Sequence, residues 1–210
     1  MYVKNHMLPK EKLTILNVED TIKIALENIT EGDFLSLPVF DGDEFKGILM
    51  KEAIFRHYFE AGYKDRERFL NEVKVKDLYN AKYKSLREND VIESAAYLLK
   101  ELRTPFLPVL DSKGDFVGIL THTAIFNAFS ETFGLGNGTR ILVNVFDMPG
   151  QIAKLTEIVG KAGVNIQNLA VMDAKVLDVY NVVIRVDTKN VDELIEKITK
   201  AGFKVAGVTK

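Results

Sequence analysis

One sequence pattern occurs twice in this chain, and it constrains the fold more than any other feature. Leu37–Asp41 (LPVFD) and Phe45–Leu49 (FKGIL) return as Leu107–Asp111 (LPVLD) and Phe116–Leu120 (FVGIL). A period this long that occurs twice indicates two copies of one supersecondary unit rather than a solenoid. Two such copies normally face each other across a pseudo-twofold axis, and this axis creates clefts. The function of the chain is therefore first sought in these clefts.

Each copy has the same predicted order of elements. Apolar residues recur at helical spacing behind Asp20 and again behind Asp90, so both aspartates are predicted helix N-caps. Asp90 followed by Glu93 resembles a capping box. Two short strands joined by a turn follow each helix, and a second helix closes each copy. The predicted repeat is β-α-β-β-α.

The last third of the chain follows a different pattern. Alternating apolar residues and helical spacing predict the order β-α-β-β-α-β, with Gly163 and Gly202 ending the helices. This order with an antiparallel sheet is a ferredoxin-like fold, with both helices on one face. Because an uncovered apolar sheet face usually finds a partner, we expect a homodimer. The predicted organisation is a first repeat at 1–60, a helical connector at 61–74, a second repeat at 75–132, a glycine-rich linker at 133–139 and this unit at 140–210.

Composition excludes several classes of function. The formal charge of −2 gives no basic surface for a nucleic-acid partner. The absence of cysteine excludes disulfides and thiolate chemistry and agrees with a reducing cytoplasm. No signal region or apolar run of membrane-spanning length is present, so we expect a cytoplasmic protein without a membrane partner.

The sequence offers no catalytic constellation. The three histidines are scattered without the spacing of paired metal ligands, and no Gly-x-Ser-x-Gly motif occurs. The glycine-rich segment Gly134–Gly138 lacks the Gly-Lys-Ser/Thr ending of a phosphate-binding loop and is better interpreted as a linker. We therefore expect no catalytic residue, no metal, no cofactor and no enzymatic activity.

The two repeats resemble CBS domains, and together they resemble a tandem CBS pair. The marks are Leu37-Pro38-Val39-x-Asp41 with Gly47-Ile48-Leu49, and their counterparts Leu107-Pro108-Val109-x-Asp111 with Gly118-Ile119-Leu120. The C-terminal unit resembles an ACT domain through Asp147-Met148-Pro149-Gly150 and Gly163-Val164-Asn165-Ile166. The order CBS–CBS–ACT is similar to acetoin-utilisation-type regulatory proteins. The implied fold class is α/β (α+β), a pseudo-twofold CBS pair followed by the ferredoxin-like ACT domain.

The resemblance implies an adenosine-containing ligand, such as AMP, ATP, S-adenosylmethionine or cyclic di-AMP, in the clefts between the repeats. In such clefts, proline leaves backbone groups available for a base edge, and a helix N-terminus attracts phosphate. The positions that match the family's pockets are Leu16, Pro38, Lys51, Lys84, Thr104, Pro105, Phe106, Pro108, Thr121 and His122.

The closing helices depart from the family's nucleotide-binding pattern, Gly-x-x-Ser/Thr-x-x-Asp. The second copy keeps the hydroxyl at Thr121 but has Ala124 in place of the aspartate that holds ribose. The first copy has Met50 and Ala53 at these two positions, so it lacks both the hydroxyl and the aspartate. The cleft bounded by Thr121 is therefore the favoured nucleotide site, lacking its ribose clamp.

Each candidate also has a purely structural interpretation. Thr121 equally suits a helix N-cap, and Phe106 suits core packing at the start of a buried strand. Lys51, Lys84 and Arg103 suit solvated charges on the surface, while their positions near the predicted cleft ends also make them the best phosphate partners available.

In the ACT unit, the resemblance implies an amino-acid site at Asp147, Gly150 and Asn165. The structural alternative is that Asp147 caps the helix and Asn165 ends a strand.

Two hypotheses remain open at this point. The first is a ligand sensor that binds an adenine nucleotide and signals through a dimer to an unknown partner protein. The second is a scaffold with empty CBS clefts, regulated by an amino acid at the ACT dimer interface or by protein contacts alone.

Overall fold

The computed structural model describes residues 1–176, 178–188 and 190–209. They form two compact units, Met1–Ala128 and Phe129–Lys210. Helices and strands alternate in both units, which confirms the predicted mixed α and β class. Among the described residues, no helix has the length and apolar character needed to cross a membrane.

The first unit contains both repeats, and both have the predicted order. Its elements are β1 (Leu8–Pro9), β2 (Leu16–Asn17), α1 (Ile22–Glu31), β3 (Ser36–Asp41), β4 (Glu44–Met50), α2 (Lys51–Glu60), α3 (Arg66–Glu72), β5 (Leu86–Arg87), α4 (Ile92–Leu102), β6 (Phe106–Leu110), β7 (Phe116–Thr121) and α5 (His122–Thr132). The first repeat is β2-α1-β3-β4-α2 and the second is β5-α4-β6-β7-α5, with an additional strand β1 before the first repeat and a helix α3 between the two. In each repeat the first strand pairs in parallel with the second, which pairs in antiparallel with the third.

The predicted aspartate caps are wrong by one residue. Thr21 is the N-cap of α1 and accepts a hydrogen bond from the Ile24 backbone N–H at 3.4 Å, whereas Asp20 accepts one from the Asn17 N–H at 2.8 Å. Val91 is the N-cap of α4 and makes no side-chain cap, and Asp90 closes a turn with the Arg87 N–H at 2.7 Å, so the Asp90–Glu93 capping box does not form. Both aspartates stabilise the turn before the helix rather than its first turn.

Each repeat is completed by the segment that precedes the other repeat. Residues 1–9 and 73–80 are named here the two leading segments. In the first, β1 pairs with β7 of the second repeat, with Leu8 opposite Ile119. In the second, Asn80 exchanges both backbone hydrogen bonds with Ile48 of β4, at 2.8 and 3.1 Å. The exchange is therefore reciprocal, and it joins the two repeats into one unit.

The glycine in the repeated Gly-Ile-Leu motif is explained by this exchange. A Cβ atom on Gly118 would overlap the carbonyl oxygen of Leu8, and one on Gly47 would overlap that of Asn80. Only a residue without a side chain lets a leading segment approach the strand this closely.

Aromatic side chains fill the contact between the repeats. Phe40, Phe45 and Ile48 of the first repeat form one buried cluster with Phe106 and Ile119 of the second. The Phe45 ring also stacks on Phe116 with 4.6 Å between centroids. Burial of rings of this size contributes strongly to the association of the two repeats.

Helix α3 lies in the segment predicted as a helical connector. Asp65 caps it by accepting a hydrogen bond from the Arg68 N–H at 3.0 Å. Phe69 is buried in the core of the first repeat, against Tyr58 and Tyr63. The connector thus packs on the first repeat through one aromatic anchor and presents its charges to solvent.

The second unit has the predicted ferredoxin-like order. Its elements are β8 (Thr139–Phe146), α6 (Gln151–Lys161), β9 (Asn165–Val176), β10 (Val179–Asp187), α7 (Val191–Lys200) and β11 (Lys204–Thr209). The antiparallel sheet has the order β11-β8-β10-β9. Alternate residues of β8 and β10 form the core together with Leu155 and Leu194 of the helices.

The glycine-rich segment before β8 is anchored to this sheet. The Arg185 guanidinium donates hydrogen bonds to the Phe133 carbonyl at 2.8 Å and to the Asn137 carbonyl at 3.1 Å. Asn168 donates a further bond to the Thr132 carbonyl. Side chains of β9 and β10 therefore hold the backbone of a segment whose composition is typical of a flexible linker.

We expect Gly118→Ala to lower the free energy of unfolding of the first unit by about 1–3 kcal/mol, because the leading segment must move to accommodate the methyl group. The matched control is Gly160→Ala within α6, where an added Cβ meets no atom within 4 Å. This second change is expected to raise stability by about 1 kcal/mol through helix propensity. Denaturant unfolding measures both effects, and equal stability of Gly118→Ala and the parent chain would contradict the role given to the leading segment.

A pH dependence follows from the ion cluster that ties the second leading segment to the first repeat. Glu19 pairs with Lys74 and with Lys76, the latter at 2.7 Å, and these bonds lower the pKa of Glu19 from 4.5 to about 2. A carboxylate with a lowered pKa contributes stability above its unfolded-state pKa, and this contribution is lost as the pH falls towards about 2. As the pH is lowered, the free energy of unfolding should therefore decrease less in Glu19→Gln than in the parent chain. A larger decrease in the parent chain at high salt than at low salt would contradict the role given to Glu19.

Candidate functional site

Two cavities lie between the repeats of the first unit. Cavity A has a volume of about 360 Å³, and its apolar walls include Ile48, Met50, Phe106 and Leu107. It combines the end of β4 in one repeat with the start of β6 in the other. Small-molecule sites are clefts of roughly 300–1,000 Å³ with mostly apolar walls and a few polar groups, so cavity A has the dimensions of a ligand site.

The polar lining of cavity A is basic. Lys82, Lys84 and Arg103 line it, and its lining contains no carboxylate. Within the described part of the chain, none of these three cations has a side-chain hydrogen bond or ion pair. Arg103 ends α4 in the left-handed conformation, with φ of 49°, and this turns the chain from the helix into β6. Cations beside apolar walls suit a ligand with a flat apolar body and an anionic end.

Cavity B is the counterpart of cavity A across the pseudo-twofold axis. It has a volume of about 270 Å³ and combines the start of β3 with the end of β7. Pro38, Pro105 and Ile119 contribute apolar surface, and Phe106 borders both cavities. The hydroxyl and charged residues that line cavity B are Thr14, Ser36, Thr121, Thr123, Lys12 and Asp33.

Thr121 caps α5, as its structural interpretation predicts. Its Oγ1 accepts a hydrogen bond from the Ala124 backbone N–H at 3.1 Å. The neighbouring His122 is exposed and contacts the Pro105 carbonyl oxygen through Nδ1 at 3.2 Å. Thr121 also lines cavity B, so one residue serves the helix and borders the cavity.

The remaining nucleotide candidates do not form one site. Lys84 and Thr104 line cavity A, where the Thr104 hydroxyl donates to the Phe106 carbonyl at 3.0 Å, whereas Pro38 and Pro105 line cavity B. Phe106 is buried in the aromatic cluster. The other three lie elsewhere: Leu16 is buried in the core of the first repeat, Pro108 is buried in the sheet opposite Ile119, and Lys51 lines a groove between the helices α1, α2 and α3.

Sequence reasoning missed Lys82 and Met50 in cavity A, and Asp33 and Ser36 in cavity B. Arg103, which the sequence offers both as a solvated charge and as a phosphate partner, lines cavity A. Asp33 and Ser36 could have been found from the repeat itself, because position 33 corresponds to 103 and position 36 to 106 when the two copies are aligned.

The ACT-type candidates lie at opposite ends of the second unit. The Tyr180 hydroxyl donates a hydrogen bond to the Asp147 carboxylate, and this bond raises the pKa of Tyr180 above its ordinary value. Helix α6 begins after Gly150, which is its N-cap with φ of 86°, so Asp147 does not cap it. Asn165 pairs with Asp187 at the far end of β10. One chain alone does not bring Asp147 and Asn165 together.

Over the described ranges 1–176, 178–188 and 190–209, no cluster of His, Asp or Glu side chains could hold a metal ion.

Two family models match parts of this chain. A model described as CBS domain matches residues 75–131, and a model described as ACT domain matches residues 139–203. The chain contains a CBS domain and an ACT domain. The first repeat has the element order and strand pairing of the matched CBS domain, as expected for a CBS pair.

Three relatives illustrate the similarity. A CBS domain-containing protein of Dictyostelium discoideum is 27% identical over 128 residues, which cover 59% of this chain and 88% of that protein. The structure of CBSX2 in complex with AMP is 27% identical, with a TM-score of 0.54, and the match covers 62% of this chain and 96% of that one. CBSX2 is a CBS-pair protein from Arabidopsis thaliana. A CBS domain pair/ACT domain protein from Thermotoga maritima shares the fold at 21% identity, with a TM-score of 0.50 over 62% of this chain and 98% of that one.

Substitution of Thr121 tests its capping role. Thr121→Ala removes the acceptor for the Ala124 N–H and is expected to lower the free energy of unfolding by about 1 kcal/mol, whereas Thr121→Ser keeps the acceptor and most of the stability. Thermal unfolding of both variants measures the difference. An alanine variant as stable as the serine variant would show that the cap contributes nothing.

Proposed function

We propose that this chain is a non-enzymatic regulatory protein that binds an adenine nucleotide in cavity A. The observation that carries this proposal is the set of three unpaired cations, Lys82, Lys84 and Arg103, around apolar walls. A purine ring suits the walls formed by Met50 and Phe106, and phosphate suits the guanidinium and ammonium groups. The AMP complex of CBSX2, a relative of 27% identity, supports the choice of an adenine nucleotide.

We prefer cavity A to cavity B, the cleft bounded by Thr121, because the charged residues in the two linings differ. Cavity B has one cation, Lys12, and one carboxylate, Asp33, in its lining. The Oγ1 atom of Thr121 already accepts the helix-capping hydrogen bond. A phosphate group therefore gains more from the three cations of cavity A than from one threonine hydroxyl beside a carboxylate.

We propose that ligand binding changes the contacts between a homodimer of this chain and a partner protein in the cytoplasm. Strand β9 is the edge of its sheet and pairs only with β10 within the described part of the chain. It exposes Leu169, Val171, Met172 and Val176. Exposed apolar residues on a long edge strand favour pairing with a second copy.

An amino-acid site in the ACT unit is the weaker hypothesis. It would require Asp147 and Asn165 to meet across two chains, since they lie at opposite ends of β10 in one chain. The cations of cavity A lie close together within one unit and need no second copy. The nucleotide hypothesis is therefore the one that the geometry supports best.

Substitution of Arg103 tests the nucleotide site. We expect AMP to bind the parent chain in isothermal titration calorimetry, and Arg103→Asn to weaken that binding by about ten- to a hundredfold, since one charge-assisted hydrogen bond is lost. Asparagine is chosen because it tolerates the left-handed conformation of this position. Affinity should also fall with increasing salt.

The matched control is Lys100→Gln. It removes one positive charge from the same helix, and Lys100 does not line cavity A. AMP affinity should be unchanged in this variant. Equal weakening in both variants would indicate a non-specific charge effect, and absence of binding by AMP, ADP and ATP to the parent chain would refute the proposed function.

A further inference from the structure

A third cavity lies on the first repeat, among its helices. This cavity, named here groove C, has a volume of about 370 Å³ and is bordered by α1, α2 and α3. It shares no lining residue with cavity A or with cavity B. A ligand of groove C would therefore bind independently of a ligand between the repeats.

The floor and the rim of groove C are apolar. Ile54 and Phe69, in the floor, are 1% and 2% exposed and belong to the core of the first repeat. Phe55 and Phe59 of α2 also line the groove, yet 47% and 76% of their surface is exposed. Two exposed aromatic rings beside an apolar cavity are typical of a surface that an apolar ligand covers.

The charged lining of groove C is entirely basic. Lys51, the first residue of α2, and Arg66, the first residue of α3, both line it, and its lining contains no carboxylate. Across the ranges that the structure describes, neither side chain makes a hydrogen bond or an ion pair. An anionic group of a ligand would be the first charged partner of either one.

The basic residues of the same two helices that lie outside groove C are paired. On α2, Arg56 contacts the carboxylate of Glu52 at 3.3 Å. On α3, Arg68 contacts the carboxylate of Glu72 at 2.8 Å. Each helix therefore compensates its outer cation and leaves the cation beside the apolar groove uncompensated.

Lys51 is better placed than Arg66 to hold an anionic group. Its side chain is half-buried, whereas Arg66 is exposed. The Lys51 backbone N–H donates to the Leu35 carbonyl at 2.9 Å, which brings the start of α2 beside the end of α1, where Thr30 also lines the groove. An ammonium group and a hydroxyl group thus border one end of groove C, and Phe59 lies about 12 Å further along α2.

Groove C is not a general feature of the repeat. Helix α3 forms one of its walls, whereas in the second repeat the closing helix α5 is followed directly by β8. Lys51 and Phe59 correspond to His122 and Ser130 when the two copies are aligned. The cation and the outermost ring are therefore particular to the first repeat.

We propose that groove C binds a free fatty acid. The alkyl chain lies on Ile54 and Phe69 and is covered by the rings of Phe55 and Phe59, which removes apolar surface of both partners from water. The carboxylate accepts a charge-assisted hydrogen bond from the Lys51 ammonium group. Decanoate is the probe, because its extended chain, built from C–C bonds of about 1.5 Å, matches the distance from Lys51 to Phe59.

The first test is calorimetric titration of the full chain with decanoate, below the concentration at which it forms micelles. Hexanoate should bind about a hundredfold more weakly, because it buries fewer methylene groups. Decyltrimethylammonium, which has a chain of the same length and the opposite charge, should bind at least tenfold more weakly than decanoate. Equal binding of the two ten-carbon ligands would show surfactant adsorption and would overturn the proposal.

Substitution of Lys51 tests the carboxylate contact. Lys51→Gln should weaken decanoate binding about tenfold and leave decyltrimethylammonium binding no weaker, since only an attraction to negative charge is lost. The matched control is Arg56→Gln, which removes one positive charge from the same helix outside the groove. Equal weakening by both variants would overturn the assignment of the carboxylate to Lys51.

Substitution of Phe59 tests the apolar contact. Phe59→Ser introduces the residue found at the corresponding position of the second repeat, and it should weaken decanoate binding about tenfold. Because this ring is largely exposed in the ligand-free chain, the unfolding temperature should not change. The control is Phe126→Ser, at an exposed phenylalanine of α5 outside groove C, which should leave decanoate binding as in the parent chain.

Sedimentation of the parent chain and of Phe59→Ser distinguishes a second occupant. If decanoate does not bind and Phe59→Ser converts a dimer into a monomer, a second copy of the chain covers the groove and the proposal is wrong. Absence of decanoate binding without any change in mass would also refute it. AMP binding should be the same in all four variants, so these results bear on groove C alone.

Discussion

The reciprocal exchange of the two leading segments is the interaction on which the first unit depends. β1 completes the sheet of the second repeat, and the backbone of Asn80 extends the sheet of the first. Each exchange requires a glycine, Gly118 or Gly47, where the two backbones meet. With the leading segments in place, the ends of β4 and β7 face the start of the strands in the opposite repeat, and cavities A and B form at these two junctions.

The sequence predicts local features well and long-range pairings poorly. The helices and strands follow from apolar periodicity, and the repeat itself reveals that two copies of one unit are present. The predicted cap of α1, Asp20, lies one residue before the observed one, because Asp20 and Thr21 both suit a cap and only the backbone geometry decides between them. The sequence names Thr104 and Thr121 as candidates in the clefts between the repeats but does not say which residues share a cleft, and the structure places Thr104 at cavity A and Thr121 at cavity B. Each cavity combines strand ends of different repeats, and this pairing cannot be inferred from spacing along the chain.

The two repeats differ at positions where the packing of the backbone does not require a particular side chain. Gly47 and Gly118 are identical because a second backbone passes against them, and Pro38 and Pro108 occupy equivalent places in the two sheets. Lining residues such as Asp33 and Arg103 share a backbone conformation but carry opposite charges. The fold therefore fixes the position of each lining residue and leaves its chemistry open, which is how one architecture holds two cavities of different polarity.

The exchange also carries information about how a chain of this kind arises. A single repeat with its own leading segment would lack the strand that completes its sheet, because that segment reaches across to the other copy. An ancestor with one repeat would therefore exist as a domain-swapped homodimer, in which two identical chains trade these segments. Tandem gene duplication and fusion would convert that intermolecular swap into the intramolecular one seen here. The two cavities, identical by symmetry in such an ancestor, would then be released to evolve separately.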